Sequence, residues 1–321
     1  MRILATGIAL VCALFPAIVL GQAYPAKAIR VVVPFPPGGT SDIIGRTLGQ
    51  KLSEAWNQPV IMDNRAGVAG SLGAAIAAKS PPDGYTLLVG NVGPVAVNNS
   101  IYKSTGYDPI KDFTPITLAV TAPQIVVVHP SVPAKTFKEF AALVKRHQGK
   151  INYGSSGPGS ISHLAAELYK RLTRTDMLHV RFKGSALIRI ALLSGEVDVV
   201  FSDMAVVLPH VQAGKLRALA VTGLKPTPLV PGVPSIAESG VPGFNMTSWW
   251  GVLGPAGMQQ PVVTRLNTEL GRILRLPDVK ERFATLGVDA ATSSSEEFGA
   301  FIKTEFAKYT KLINELGIEK Q

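Results

Sequence analysis

The sequence predicts an α/β protein with two lobes, each a mainly parallel sheet flanked by helices. Strand and helix patterns alternate over residues 29–89 and again over residues 124–222, and this alternation is typical of parallel sheets covered on both faces. With 321 residues, the chain exceeds one ordinary hydrophobic core and is long enough for two. Three helix patterns near the C-terminus have no strands of their own, so they must pack on one of these sheets.

The composition is that of a globular protein with a basic balance of charge. Apolar residues make up 46% of the chain and charged residues 17%, and the formal net charge is +10. These values argue against disorder and favour anionic partners. The basic residues are spread along the chain without a run interleaved with aromatic residues. We therefore expect no nucleic-acid partner.

The first 23 residues have the pattern of a cleavable export signal. Arg2 precedes an uncharged apolar stretch at residues 3–20, and Gly21 and Ala23 are small residues at the positions that a signal peptidase reads. A transmembrane anchor is the alternative, but the stretch is near the lower length limit for spanning and contains Pro16. We expect cleavage near Ala23. The only cysteine lies in this segment, so thiol chemistry is excluded from the mature chain.

The first region is predicted to consist of strand, turn and helix units. A short β-branched strand at residues 29–34 leads through a glycine-rich turn to a helix at residues 43–56, where apolar residues recur at helical spacing. A strand at 60–62, a small-residue helix from 67 to 78 and a strand at 85–89 follow.

The second region repeats this organisation. A strand is predicted at residues 124–129, and Thr136 with Glu139 forms a capping box that opens a helix reaching His147. A serine-rich turn at 154–160 precedes a helix at 161–172. Further strands are predicted at 151–153, 177–182, 197–201 and 216–222, with helices at 186–193 and 206–213.

The C-terminal region returns the chain to the first lobe. Residues 226–243 are rich in Pro and Gly, which marks a loop or a domain crossing. A strand at 248–253 and helices at 261–276, 278–286 and 295–316 follow. Two crossings, near residues 120–122 and 244–248, form a hinge that allows closure around a ligand. The predicted division is a signal at 1–23, a first domain of 24–121 plus 247–321, and a second domain of 122–246.

The turn after the first strand holds the first group of candidate ligand-binding residues. A helix N-terminus at the carboxyl end of a strand presents free N–H groups, which hold an anion without a charged side chain. Gly38 and Gly39 permit close backbone approach, and Thr40 adds a hydroxyl donor. The alternative is an ordinary turn in which Ser41 or Asp42 only caps the helix. The candidates are Phe35, Pro36, Gly38, Gly39, Thr40, Ser41 and Asp42.

The serine-rich turn occupies the matching place in the second lobe. Its serine hydroxyls can donate to a carboxylate, and two facing helix termini suit a ligand with two polar ends. The alternative is a capped helix with a structural histidine. The candidates are Ser155, Ser156, Gly157, Ser160 and His163.

Two charged residues and two tryptophans complete the candidates. Asp203 follows a strand and either accepts from a ligand or caps the next helix. Lys183 follows another strand and faces either the cleft or the solvent. Trp249 and Trp250 are expected to pack at the domain crossing, with a place in a pocket as the alternative.

Signatures of catalysis are missing from the sequence. Neither turn has a P-loop ending or a G-x-G-x-x-G pattern, no G-x-S-x-G elbow occurs, and the five histidines lack metal-ligand spacing. We therefore predict no catalytic residue, no metal and no cofactor. The alternative is a secreted hydrolase of small organic acids, which would use Ser156, His163 and Asp203. A pure interaction protein, without an anion cleft, is a third possibility.

Short motifs occur along the whole predicted mature chain, and the resemblance to a family rests on their order and spacing. They include VPFPPGGTSD at 33–42, DNR at 63–65, PDGYTL at 82–87, YDPIKDF at 107–113, FKG at 182–184, GEVD at 195–198 and AGKLRALA at 213–220. In this order and spacing they resemble the Bug family, the periplasmic receptors of tripartite tricarboxylate transporters.

The resemblance implies a two-lobed periplasmic-binding-protein fold that closes on a small organic carboxylate. It also implies delivery of this ligand to the subunits of a membrane transporter or to a membrane sensor, a periplasmic location, a monomer and no catalysis. The sequence departs from the family pattern at Ala66, where Pro is usual, at Val68 within a glycine-rich stretch, and at Phe182, where Tyr is common. The missing tyrosine hydroxyl would change a contact in the pocket.

Overall fold

The computed structural model describes residues 24–228, 230–318 and 320. The predicted signal at residues 1–23 lies outside this part of the chain. The strands are β1 Ile29–Val33, β2 Val60–Asn64, β3 Thr86–Asn91, β4 Phe113–Val128, β5 Asn152–Ser155, β6 Leu178–Arg181, β7 Val199–Asp203, β8 Arg217–Val221, β9 Thr247–Pro255 and β10 Asp289–Ala290.

Helices separate most of these strands. They are α1 Thr40–Trp56, α2 Ser71–Ala78, α3 Asn98–Ile101, α4 Phe137–Arg146, α5 Ile161–Thr173, α6 Ser185–Ser194, α7 Met204–Gln212, α8 Gln260–Leu274, α9 Pro277–Thr285 and α10 Ser295–Leu316. A 3₁₀ turn at Val68–Gly70 and a π-helical turn at Gly93–Val97 precede α2 and α3 respectively. In the described part of the chain, no helix is long and apolar enough to cross a membrane.

The strands form one mixed sheet with the order β2-β1-β3-β9-β4-β7-β5-β6. We call β1–β3, β9, β10 and residues 113–123 of β4 the first half, and β5–β8 with residues 124–128 of β4 the second half. Three strands in each half pair in parallel, in the orders β2-β1-β3 and β6-β5-β7. The pairs that involve β4 or β9 are antiparallel. The α/β prediction is thus confirmed, with antiparallel pairing where the chain passes between the halves.

Strand β4 is longer than the sequence predicted. The prediction began at residue 124, whereas the strand runs from Phe113 to Val128 and pairs with β9 through Pro123 and Thr247. Pro115 sits beside a shift in the β4–β9 register. Proline is tolerated at such irregularities because its missing N–H then interrupts no regular ladder. The crossing predicted near residues 120–122 therefore lies inside a continuous strand.

Apolar faces of the helices cover both sides of the first half. On one side, Ile44 and Leu48 of α1 belong to a buried cluster with Leu266 of α8 and Phe283 of α9. Helix α10 contributes Phe298 and further apolar residues to a second cluster, which extends into α4 and α5. Burial of such side chains contributes roughly 1.5–3 kcal/mol each relative to exposure. Helices α8 and α9 thus pack with α1 in one cluster, and α10 packs in the other.

Candidate functional site

Asp42 holds the turn that precedes α1. Its carboxylate accepts hydrogen bonds from the Gly38 N–H at 2.9 Å, from Arg46 Nε at 2.9 Å and from Asn64 Nδ2 at 3.0 Å. Burial raises the pKa of Asp42, but these hydrogen bonds outweigh the burial and leave the pKa below its usual value. The N-cap residue is Gly39, without a side-chain cap. Asp42 therefore stabilises the turn as an ion.

The hydroxyl groups at the start of α1 bind other parts of the protein. Thr40 Oγ1 donates to Asp203 Oδ2 at 3.0 Å, and Ser41 Oγ accepts from Trp250 Nε1 at 3.1 Å. Thr40, Ser41 and Trp250 are buried. Trp250 thus packs at the crossing, as expected, and ties β9 to α1. Neither Thr40 nor Ser41 belongs to the wall of the cavity described below.

Asp203 is the acceptor at the centre of a buried polar cluster. Besides Thr40, it accepts from Ser248 Oγ at 3.1 Å and from Gln124 Nε2 at 3.4 Å. Burial raises its pKa, and the three donors only partly offset this effect. Asp203 makes no side-chain cap for α7. Its carboxyl instead joins the first turn to the two strands that link the halves of the sheet.

The serine-rich turn is held by its own side chains. Ser160 is the N-cap of α5, accepting from the His163 N–H and donating to the Gly157 carbonyl at 2.7 Å. Ser155 Oγ lies 2.5 Å from His179 Nε2. Ser156 contacts Ser162 through its N–H and its hydroxyl. Of these serines, Ser156 alone reaches the cavity described below.

Two histidines stack behind this turn. The rings of His163 and His179 lie 4.5 Å apart, and His179 stacks on Tyr153 at 4.7 Å. Burial lowers the pKa of His163 to about 4 and that of His179 to about 3. His163 Nδ1 accepts from the Gly159 N–H at 3.2 Å. With these lowered pKa values, both rings are neutral near pH 7.

The geometry contradicts a hydrolase triad. Among the described residues, no hydrogen bond joins Ser156, His163 and Asp203. Asp203 accepts from Thr40, Ser248 and Gln124, while the ring of His163 accepts from a backbone N–H. A nucleophile and its base must lie within hydrogen-bond reach of each other. The described residues therefore lack the hydrogen-bonded triad that the hydrolase alternative requires.

A cavity of about 430 Å³ lies between the two halves. Four predicted residues line it: Phe35, Ser156, Gly157 and Lys183. The other candidates are not in its wall; they are Pro36, Gly38, Gly39, Thr40, Ser41, Asp42, Ser155, Ser160, His163 and Asp203. The turns predicted as binding loops thus shape the cavity, while most of their side chains bind within the protein.

Sequence reasoning missed much of the cavity wall. The missed lining residues are Ala66, Gly67, Val68, Ala69, Gly70, Tyr102, Pro158 and Arg181, whereas the family resemblance had already pointed to Phe182 as a pocket residue. The signal that could have found them is the run of small residues between β2 and α2, together with the Arg-Phe-Lys sequence that begins at the last residue of β6.

The loop from Gly67 to Gly70 has an uncommon backbone. Val68 and Ala69 have φ values of 46° and 49°, a region that L-residues rarely adopt and that is strained for a β-branched residue. In the described chain, the N–H groups of both residues donate to no protein acceptor. Strained backbone of this kind is concentrated at ligand sites. The loop thus offers two free donors at the cavity wall.

Contacts across the cavity bring the halves close together. Tyr102 OH donates to the Pro158 carbonyl at 3.0 Å. Gly184 has a φ of 125°, and a β-carbon there would lie 3.1 Å from Pro36 Cδ. Only glycine combines this conformation with so close an approach. The first turn therefore rests directly on the start of α6.

The charge of the cavity wall is positive. Arg181 and Lys183 line it and are exposed, and within the described residues neither side chain makes a hydrogen bond or an ion pair. No acidic residue lines the cavity. Unpaired cations beside free N–H groups attract an anion.

The chain is similar to known proteins over most of its length. Residues 44–318 match the family described as "Tripartite tricarboxylate transporter family receptor". The chain is 33% identical over 318 residues to "Protein BugT" of Bordetella pertussis, covering 98% of each chain.

Two solved structures with ligands are also similar. "R. palustris Rpa4515 with adipate" has a TM-score of 0.91 and 33% identity, covering 93% of this chain and 100% of that one. "MatC (Rpa3494) from Rhodopseudomonas palustris with bound malate" has a TM-score of 0.85 and 30% identity, covering 90% and 100%. These matches confirm the predicted fold.

Proposed function

We propose a ligand and a route of delivery for this chain, which belongs to the tripartite tricarboxylate transporter family of receptors. It binds a small organic carboxylate in the cavity between the halves of the sheet and delivers it to a membrane transporter. The observation that carries this proposal is the cavity wall, where Arg181 and Lys183 stand without an acidic neighbour.

Size and chemistry of the cavity both support an organic acid. A volume of about 430 Å³ falls within the range of small-ligand pockets, roughly 300–1,000 Å³. A carboxylate removed from water must be paired, and a guanidinium can hold it with two parallel hydrogen bonds. The similar structures with adipate and malate contain acids of this kind.

Export and closure complete the proposed cycle. The signal is cleaved near Ala23, and the mature chain acts in the periplasm as a monomer. The lobes are residues 24–121 plus 247–321 and residues 122–246, which move about the β4 and β9 crossings. The closed form brings Tyr102 against Pro158, and the partner is a transporter subunit or a membrane sensor.

The ligand is returned unchanged in this proposal. The separation of Ser156, His163 and Asp203 leaves no activated nucleophile in the described site. A hydrolase would need another general base at the cavity. The residues that line the cavity include neither a histidine nor a carboxylate. We therefore propose binding without turnover.

Thermal unfolding of the mature chain with a panel of organic acids tests the proposal. The protein is first unfolded and refolded to remove bound ligand. A ligand at 100 times its dissociation constant stabilises the native state by about 2.7 kcal/mol, which is on the order of several degrees in this chain. The Arg181→Gln variant is expected to bind about 10-fold more weakly or worse, because a charge-assisted hydrogen bond is lost.

Arg189→Gln is the matched control. Arg189 lies on α6 outside the cavity wall, so its loss should leave affinity within about 2-fold of wild type. If no acid shifts the melt of the refolded protein, carboxylate capture is wrong. If both variants lose affinity equally, the general positive charge of the protein, and not this cavity, attracts the acid.

A further inference from the structure

Resting on the proposed function, we infer that the ligand is an aromatic carboxylic acid. Its ring contacts Phe35 and Phe182, and its carboxylate is bound by Arg181 and Lys183. Both phenylalanines and both cations line the same cavity.

The cavity wall is poor in polar side chains. Its hydroxyl groups are those of Ser156 and Tyr102, and the Tyr102 hydroxyl already donates to the Pro158 carbonyl. A compact hydroxy acid has several hydroxyl and carboxylate oxygens that need partners once water is removed. Besides Arg181 and Lys183, the described wall offers one side-chain hydroxyl without a backbone acceptor, that of Ser156. An apolar ligand body needs none, and it removes the apolar wall from water.

Aromatic rings in the cavity wall have no aromatic partner within the described chain. Phe35, Tyr102 and Phe182 are half-buried and, within the described chain, contact no other aromatic ring. Rings elsewhere are often paired, as in Phe137–Tyr169 at 5.7 Å and Trp249–Phe298 at 5.8 Å. An aromatic ligand is attracted to an unpaired ring edge or face in the same way.

Charge is distributed unevenly around the cavity. Arg181 and Lys183 belong to the second half, whereas the first half contributes Phe35, Tyr102 and the loop Ala66–Gly70, none of them charged. A ligand with a carboxylate at one end and an apolar body at the other matches this distribution. The free N–H groups of Val68 and Ala69 suit one further polar substituent on the ligand.

Calorimetric titration of the refolded mature chain tests this inference. The probes are 4-hydroxybenzoate and terephthalate as aromatic acids, and adipate, malate and citrate as aliphatic acids. We expect the better aromatic acid to bind at least about 10-fold tighter than malate and citrate, and about 3-fold tighter than adipate. Phe182→Leu should weaken aromatic binding about 5-fold while changing adipate binding less than 2-fold.

Phe182→Tyr is the conservative control, because it keeps the ring and should retain aromatic affinity. Tighter binding of adipate, malate or citrate than of either aromatic acid overturns the inference and leaves the proposed function standing. Failure of every acid to bind overturns both. Equal loss of adipate and aromatic affinity in Phe182→Leu would show that Phe182 acts through the shape of the cavity and not through its ring.

Discussion

Thr40 donates a hydrogen bond from Oγ1 to Asp203 Oδ2 over 3.0 Å, and this bond joins residues that are 163 positions apart. Thr40 begins α1 in the first half of the sheet, and Asp203 ends β7 in the second. The other donors to Asp203 come from β4 and β9, the strands that pass between the halves. The cluster therefore ties the first turn to the crossing strands through uncharged donors.

The Thr40–Asp203 bond should contribute measurably to stability. Thr40→Val leaves the half-buried carboxyl of Asp203 short of one donor, which should lower the free energy of unfolding by about 1–3 kcal/mol. Thr47→Val on the same helix is the control, because the Thr47 hydroxyl bonds only to the Ile43 carbonyl one turn earlier. The Thr47→Val variant should lower the free energy of unfolding by about 0.5–1 kcal/mol. Urea unfolding measures the stability of both variants. Equal losses of stability would contradict the larger contribution predicted for the bond to Asp203.

The raised pKa of Asp203 should appear in the pH dependence of stability. Because the native carboxyl holds its proton more tightly than the unfolded one, the native state binds more protons above about pH 4. Stability contributed by this group therefore falls as pH rises through that range. The wild type should lose stability relative to Asp203→Asn between pH 4 and pH 7. A constant difference across this range would contradict the prediction.

Asp42 should behave in the opposite way. Its native pKa is lowered, chiefly by hydrogen bonds from Arg46, the Gly38 N–H and Asn64 that outweigh burial. The stability that it contributes is present above the unfolded pKa of about 4 and is lost as pH falls through the native value. Asp42→Asn should thus lower the free energy of unfolding most near pH 6 and least near pH 2. Urea midpoints at several pH values measure this trend.

The backbone at Val68 should favour glycine over alanine. Val68 has a φ of 46° and its side chain is 56% exposed, so truncation removes little packing. A left-handed conformation costs an L-residue roughly 1–2 kcal/mol, whereas the greater freedom of unfolded glycine costs about 0.5–1 kcal/mol. Val68→Gly should therefore be more stable than Val68→Ala by up to about 1 kcal/mol. The reverse order in thermal unfolding would argue against the positive φ.

The stacked histidines should stay neutral in mildly acidic solution. Burial lowers the pKa of His163 to about 4 and that of His179 to about 3, whereas unfolded histidine titrates near 6.5. The unfolded state then binds more protons between pH 4 and pH 6.5, so stability falls as pH is lowered through this window. NMR titration should find both imidazoles uncharged at pH 5.5. A midpoint above pH 6 for His163 would contradict this.

Local patterns predicted the elements well where the physical cause is local. The β-branched run at Ile29–Val33 forms β1, and Thr136 caps α4 by accepting from the Glu139 N–H at 3.2 Å. Both depend on residues within a few positions of each other. The prediction missed the first residues of β4, because these residues pair with β9, which lies more than one hundred positions away in the chain.

What the sequence by itself determined was the α/β class, the two strand–turn–helix units and the family. What only the tertiary structure decided was which side chains face the cavity. Ser41 is bound by Trp250 and Thr40 by Asp203, whereas Arg181 and Phe182 reach the wall. A hydroxyl beside a helix N-terminus looks the same in sequence whether it binds ligand or protein. Its partner is chosen by the contacts that β4 and β9 make when they bring the halves together, and these contacts join residues far apart in the chain.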